Sequence, residues 1–280
     1  SVPAAAPTPP WNNINHSNAK IACAANNAVG TNDYALITNA EWQTVARTIE
    51  MDKDNWSTSQ VGIGMINTGY PNYNISVLNL ADPYDQTGGA PGSEKKRTHK
   101  LPYGEIWDFA GNLAEFVYET NTSSISYPNF SKFSNMTATS PSSTFTLGFV
   151  TGTAKTLFGP HNTYTGNTGL TNYGGLGEVD ITNGTYNPII VRGAFSYGAR
   201  GIFTATELSN SGYSEIGFRC VYHPAPACPD ANYIPVRYMS PYTQNDFCVA
   251  KYEARVVGGM AESKPDGVAT VNISRDAAQT

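Results

Sequence analysis

Between residues 38 and 50 the chain reads TNAEWQTVARTIE, and Trp42, Val45, Ala46 and Ile49 recur at the i, i+3, i+4, i+7 spacing of one helix face. Thr38 or Asn39 can cap this helix. A face of that size must bury, so Trp42 is expected in the core. A shorter helix is predicted over residues 17–25, with Ser17 as its cap. Ahead of it, SVPAAAPTPP cannot hold a helix or a central strand and reads as an extended linker. From Asp52 onward the pattern changes to short strands and turns. GEIWDFAGNLAEFVYE sets Ile106, Trp107, Phe109, Leu113, Phe116 and Val117 around a Gly-Asn turn. NPIIVRGAF and SEIGFRCVYHP read as buried strands, and DFCVAKYEARVV predicts a further strand from Phe247 through Tyr252. Residues 120–188 are rich in Ser, Thr, Asn, Gly and Tyr and too long for a plain connection, so they form a functional insertion or a heavily looped subregion. These elements predict an α+β protein of two helices, several short strands and very long loops.

Composition narrows the function classes. Only 14% of the residues are charged and the net charge is -5, which supplies no cationic stripe for nucleic acid. The one dense cluster, EKKRTHK from Glu94 to Lys100, reads as a solvated loop. No apolar run approaches the roughly 20 residues that span a bilayer. The start lacks both an initiator Met and a signal-like segment, as expected of a mature, processed or excised chain. Four cysteines without a CxxC pair argue against zinc. The low Lys content, the many tyrosines and eight N-x-S/T triplets, at Asn15, Asn55, Asn74, Asn121, Asn129, Asn135, Asn183 and Asn272, point to an extracellular or cell-surface protein.

The two ends repeat one another. Asn272, Ile273, Ser274 and Ala278 fall on Asn13, Ile14, Asn15 and Ala19, at an offset of 259 residues. The blocks YALITNAEWQTVAR, DFAGNLAEFV, VRGAF and IGFRC, in that order, resemble the signature of the formylglycine-generating-enzyme-like (sulfatase-modifying factor) family, which has a loop-rich C-type lectin fold. The match spans residues 11 to 222. Family members usually begin with a strand like FCVAKYEA, which here stands at residues 247–254, after the closing strand. The resemblance therefore implies a lectin-fold body over residues 1–227 without its usual leader, and a leader over residues 228–280 without its usual body. A body lacking its leader exposes an unpaired sheet edge. The leader can close its own body as a circularly permuted monomer. It can instead enter the next copy, with Phe247, Val249 and Tyr252 in the donated strand, and make a head-to-tail filament or tandem array. The segment order can also reflect boundaries cut from a tandem-repeat polypeptide.

Catalysis is not expected. The family's oxidases place a cysteine pair just before the GFR strand, but no cysteine lies between Arg192 and Cys220, and thiolate chemistry needs its thiolates. The related iron-dependent enzymes need a histidine cluster, whereas His16, His99, His161 and His223 are scattered and read as surface or locally bonded residues. GNTGLTNYGGLGE does not follow a strand and open a helix, and no G-x-S-x-G elbow is present.

Binding is the alternative. GIFTATELSNSGYSEIGFRC resembles the variable ligand-binding segment of retroelement-diversified lectin-fold proteins. That likeness implies contacts to a surface glycan or protein from Ser196, Tyr197, Arg200, Glu207, Asn210 and Tyr213. An ordinary polar loop over a core of Ile202 and Phe203 is the other reading. The family's structural ion implies Ca²⁺ at Asn112 and Glu115, against a turn-capping Asn112 with an exposed or ion-paired Glu115. The family's disulfide implies Cys23–Cys220, which leaves Cys228 and Cys248 in the leader, one of three connectivities. Chain entropy gives the longer loop roughly 4 to 5 kcal/mol.

Overall fold

A computed structural model describes residues 11–28, 33–68, 98–111, 113–120, 144–146, 157–162, 164, 174–180, 189–194, 200–208, 211–223, 228–236, 246–257 and 260–263. Along the chain come α1 (His16–Ala24), β1 (Tyr34–Leu36), α2 (Asn39–Met51), a 3-10 turn (Lys53–Asn55), β2 (Thr98–Leu101), β3 (Gly104–Trp107) and β4 (Ala114–Thr120). They are followed by β5 (Thr144–Thr146), β6 (Glu178–Asp180), β7 (Ile189–Ala194), β8 (Arg200–Leu208), β9 (Ile216–Phe218) and β10 (Cys220–Tyr222). The segment from residue 228 onward, called the leader below only as a label, contributes β11 (Tyr233–Val236), β12 (Phe247–Ala250), β13 (Ala254–Val257) and β14 (Met260–Ser263). The architecture is mixed α+β, with two helices against several mainly antiparallel sheets.

Helix α2 forms where the apolar period predicts it. Thr38 and Glu41 close a reciprocal capping box: the Glu41 amide donates to Thr38 Oγ1 at 3.2 Å, and the Thr38 amide donates to Glu41 Oε2 at 2.8 Å. Trp42 is fully buried, stacks on Phe109 with ring centres 4.0 Å apart, and donates its indole N–H to the Ile202 carbonyl at 2.9 Å. Helix α1 begins one residue earlier than predicted and is capped by Asn15, which accepts from the Asn18 amide at 2.8 Å. Both Asn15 and Ser17 are capping residue types. Burial of Ile14 just ahead of the cap, together with the left-handed turn at Asn13 (φ 56°), decides for Asn15.

A six-stranded sheet runs β5-β6-β8-β7-β4-β9, and a four-stranded sheet runs β1-β10-β12-β11. In the second sheet the leader hairpin β11–β12 covers the edge of body strand β10, with Val249 opposite Val221 and Cys248 opposite Tyr222. Phe247, Val249, Ile234 and Val236 enter the same core as Trp42, Ile49, Phe109 and Phe203. Burying each such side chain stabilises by about 1.5–3 kcal/mol. In this structure the leader closes the sheet of its own chain.

Two further expectations are corrected. The strand predicted through Tyr252 ends at Ala250: Lys251 N–H still donates to the Asn232 carbonyl in the β11 register, but the reciprocal bond is absent, because Asn232 N–H donates to Asp230 Oδ1 and the Lys251 carbonyl accepts from Trp107 N–H. Tyr252 instead packs near Trp107, ring centres 6.1 Å apart. The second half of EKKRTHK is strand β2, not a solvated loop. Thr98 and His99 are buried against β3, and His99 Nε2 donates to the Asn67 carbonyl at 2.8 Å.

The described pieces of 120–188 do more than connect. Phe158, Leu176 and Val179 are core residues, and Gly159, His161 and Tyr164 are fastened to α2. Arg47 donates to the Gly159 carbonyl at 2.8 Å. Buried Glu50 accepts from the His161 amide at 2.7 Å and from the Tyr164 hydroxyl at 2.6 Å.

Candidate functional site

Among the described residues, one buried polar cluster lies where residues 11–223 meet residues 228–263, and Arg219 is its centre. It lies between β9 and β10, flanked by buried Phe218 and Cys220, and is itself fully buried. Its Nη2 and Nε donate to the two oxygens of Glu115 at 2.6 and 3.1 Å. Nη2 also donates to the Trp107 carbonyl at 3.0 Å, and Nη1 donates to the Ala250 carbonyl of leader strand β12 at 2.9 Å. Burial pushes the Glu115 carboxyl upward and the guanidinium pulls it back. Glu115 is thus ion-paired, with each carboxylate oxygen accepting from Arg219. Asn112 lies outside the described residues, and among those described no group of three or more His, Cys, Asp or Glu could hold a metal ion.

Further hydrogen bonds to main-chain carbonyls cross the seam. Trp11 N–H donates to the Ala254 carbonyl at 2.7 Å, and Asn26 Nδ2 donates to the Ala261 carbonyl at 2.7 Å, so the leader hairpin β13–β14 flanks α1. Cys23 is bonded to Cys220 and Cys228 to Cys248. One staple lies wholly in the body and the other wholly in the leader.

A second polar cluster sits at the N-terminus of α2, beside the link from body to leader. His223, the last described body residue, donates from Nε2 to Glu41, which raises the imidazole above its ordinary value. Its ring lies 6.5 Å from that of Phe247 in the leader. Glu119 accepts from the Asn39 amide at 2.6 Å and is pushed up to about 7 by burial.

The ligand-binding set is not gathered into one patch by the described residues. Ser196, Tyr197 and Asn210 lie outside them. Arg200 opens β8 and Glu207 stands near its end, roughly 20 Å apart at the rise of a strand. Tyr213 is half-buried against the core beneath α1, and its carbonyl accepts from Asn13 N–H at 3.0 Å. Of the N-x-S/T asparagines, two are described and both are engaged. Asn15 caps α1. Asn55 is buried and donates to the Ile49 and Lys100 carbonyls at 3.0 and 2.9 Å.

Arg219 was visible in the sequence as an arginine inside the apolar run IGFRCVY, but its role was not assigned there. Arg192 is similar. It is buried in β7 and donates to Asn39 Oδ1 at 2.7 Å and Gln43 Oε1 at 3.1 Å on α2.

Comparison of the chain with protein-family models, curated proteins and solved structures finds no match. No helix among the described residues is long and apolar enough to cross a membrane.

The buried histidine of α1 supplies a pH prediction. His16 Nε2 donates to the Val117 carbonyl at 2.7 Å, and burial lowers the ring from 6.5 to about 4. Between those values the unfolded chain holds a proton that the folded chain does not. His16 therefore contributes stability that is present above pH 6.5 and lost as pH falls toward 4. Glu119 works in the opposite direction. Raised from 4.5 to about 7, it contributes stability present below 4.5 and lost as pH rises through 7. His16→Gln, whose amide still donates to Val117, is expected to remove the acid-side loss. Urea midpoints between pH 4 and 7 for both proteins test this, and identical slopes would refute it.

Proposed function

We propose that this chain is a non-catalytic, extracellular structural protein of the formylglycine-generating-enzyme-like lectin fold, whose copies join head-to-tail by donating the leader 228–280. The observation that carries this reading is the placement of the two disulfides. The leader is bound to the body by a sheet edge, by core side chains and by the Arg219–Ala250 bond, yet neither disulfide ties body to leader. Every one of those contacts can be made equally by the leader of another copy. Donor and acceptor surfaces differ, so repetition grows a chain unless it closes into a ring. The disulfides are compatible with an oxidising, exported location. All four cysteines are paired, so an oxidase reading needs thiols from elsewhere.

One observation favours a second reading. The leader here closes its own sheet, as a monomeric permuted lectin-fold module would, with glycan or protein recognition by the 195–213 region.

Cross-linking separates the two. Val221 and Val249 face each other across the seam and are fully buried. Full-length Val221→Cys and Val249→Cys chains, mixed, refolded and oxidised, are expected to yield a covalent heterodimer, with large particles that resist dilution in light scattering. A compact species near 30.1 kDa at every concentration, with no heterodimer, would sink the assembly reading and leave the binding module.

A further inference from the structure

The four-stranded sheet is bounded by β1 on one side and β11 on the other. A sheet edge ordinarily presents backbone N–H and C=O groups that pair with any strand arriving there. In an antiparallel ladder these groups point alternately toward the neighbour and away from it, so the register shows which residues face outward.

On β1 the Asp33 carbonyl accepts from His223 N–H, and Ile37 N–H donates to the Arg219 carbonyl. Asp33, Ala35 and Ile37 therefore face β10, while Tyr34 and Leu36 turn their main-chain groups outward. Asn27 meets Tyr34 at that edge. Its Nδ2 donates to the Tyr34 carbonyl at 3.0 Å, and its Oδ1 accepts from Tyr34 N–H at 2.6 Å. A side-chain amide holds the donor and acceptor of a peptide group, so Asn27 stands where a fifth strand would pair. Leu36, the next outward position, is buried with Ala19, Ala22 and Cys23 of α1.

The β11 edge is closed differently. Lys251 N–H donates to the Asn232 carbonyl, which turns Asn232, Ile234 and Val236 toward β12 and leaves Tyr233 and Pro235 facing outward. Tyr233 N–H is taken by the Asp230 carbonyl at 3.2 Å, and Pro235 has no N–H to give. Proline fits a ladder where the missing donor would have pointed away from the sheet. Pro235 is also exposed, so the outward side of Tyr233–Val236 meets water without offering a donor.

We infer that Asn27 and Pro235 are gates that close the two outer edges of this sheet. Among the described residues they leave β10 as its acceptor, and the partner that fits is the β11–β12 hairpin of a copy of this chain. Once seated, the hairpin turns Pro235 outward and no further strand follows. Each body then takes one hairpin, and copies join in single file rather than side by side. This deepens the proposed leader donation and rests on it for its role in assembly, whereas the closing of the edges stands apart from it.

The test uses a full-length chain whose leader is locked to its own body by oxidised Val221→Cys/Val249→Cys within one molecule, at positions paired across β10 and β12. Pro235→Thr then restores an outward N–H at an exposed site and is expected to leave the thermal midpoint unchanged. Asn27→Ala bares the Tyr34 N–H and carbonyl. In sedimentation velocity the locked parent is expected to stay near 30.1 kDa at every concentration. The locked chain carrying Asn27→Ala/Pro235→Thr is expected to reach roughly twice that mass or more as concentration rises, through edge-to-edge pairing. A folded double variant that keeps the parent's mass overturns the inference. Where Asn27→Ala does not fold, Pro235→Thr alone decides by the same criterion. The unlocked parent reads leader donation separately. Association there, with the opened locked chains staying single, keeps leader donation and removes the gates. Opened locked chains that associate, from a parent that never does, keep the gates and remove leader donation.

Discussion

Replacing Arg219 by alanine is expected to destabilise the folded chain by about 3–5 kcal/mol, because it leaves the buried Glu115 carboxylate without its counter-charge. The same change removes the donors to the Trp107 and Ala250 carbonyls, so the loss is not confined to one ion pair. A domain is stable by only about 5–15 kcal/mol, so the variant stands near the threshold of folding. Arg219→Ala should also loosen the leader selectively, since Ala250 belongs to β12. Proteolysis within 228–263 is expected to begin at urea concentrations where the rest of the variant still resists. Arg219→Met paired with Glu115→Leu should be milder than Arg219→Ala alone, since an apolar pair leaves no orphan charge. Equal losses in the two variants would show that the carbonyl bonds dominate over the ion pair.

Loss of the body disulfide is the other large effect. Cys23 and Cys220 are 197 residues apart, and chain-entropy reasoning assigns the bond about 5 kcal/mol. Cys228 and Cys248 are separated by 20 residues, for which the same reasoning gives about 3 kcal/mol. Cys23→Ser/Cys220→Ser is therefore expected to lower the urea midpoint more than Cys228→Ser/Cys248→Ser. The body bond also holds α1 against β10, so its loss should free the helix, while the leader bond should affect mainly the β11–β12 hairpin. The reverse ranking would mean that unfolded-state entropy is not what these bonds chiefly supply.

Local features of the fold could be read from the chain where a short-range period carried them. Helix α2 is an example: its apolar spacing, capping box and buried Trp42 all lie within about a dozen residues. The start of α1 was misplaced because Asn15 and Ser17 are both good caps, and the choice depends on a turn at Asn13 bonded to Tyr213, two hundred residues away. Strand β2 was hidden by its charged neighbours, although only Thr98, His99 and Leu101 turn inward. The seam escaped for a similar reason. An arginine in an apolar strand is conspicuous, but Glu115 and Ala250 lie 104 and 31 residues from it, and no local pattern joins them. For the ligand segment, strand geometry spreads out residues that a linear motif presents as neighbours.

The bond between Cys23 and Cys220 also changes what a single cut can do. It makes most of the body a covalent ring, so a peptide bond hydrolysed anywhere between those two residues opens the ring without releasing a fragment. A single cut in the long Ser/Thr/Asn-rich stretch would leave one molecule of unchanged mass apart from an added water. Fragments would part only after reduction and unfolding.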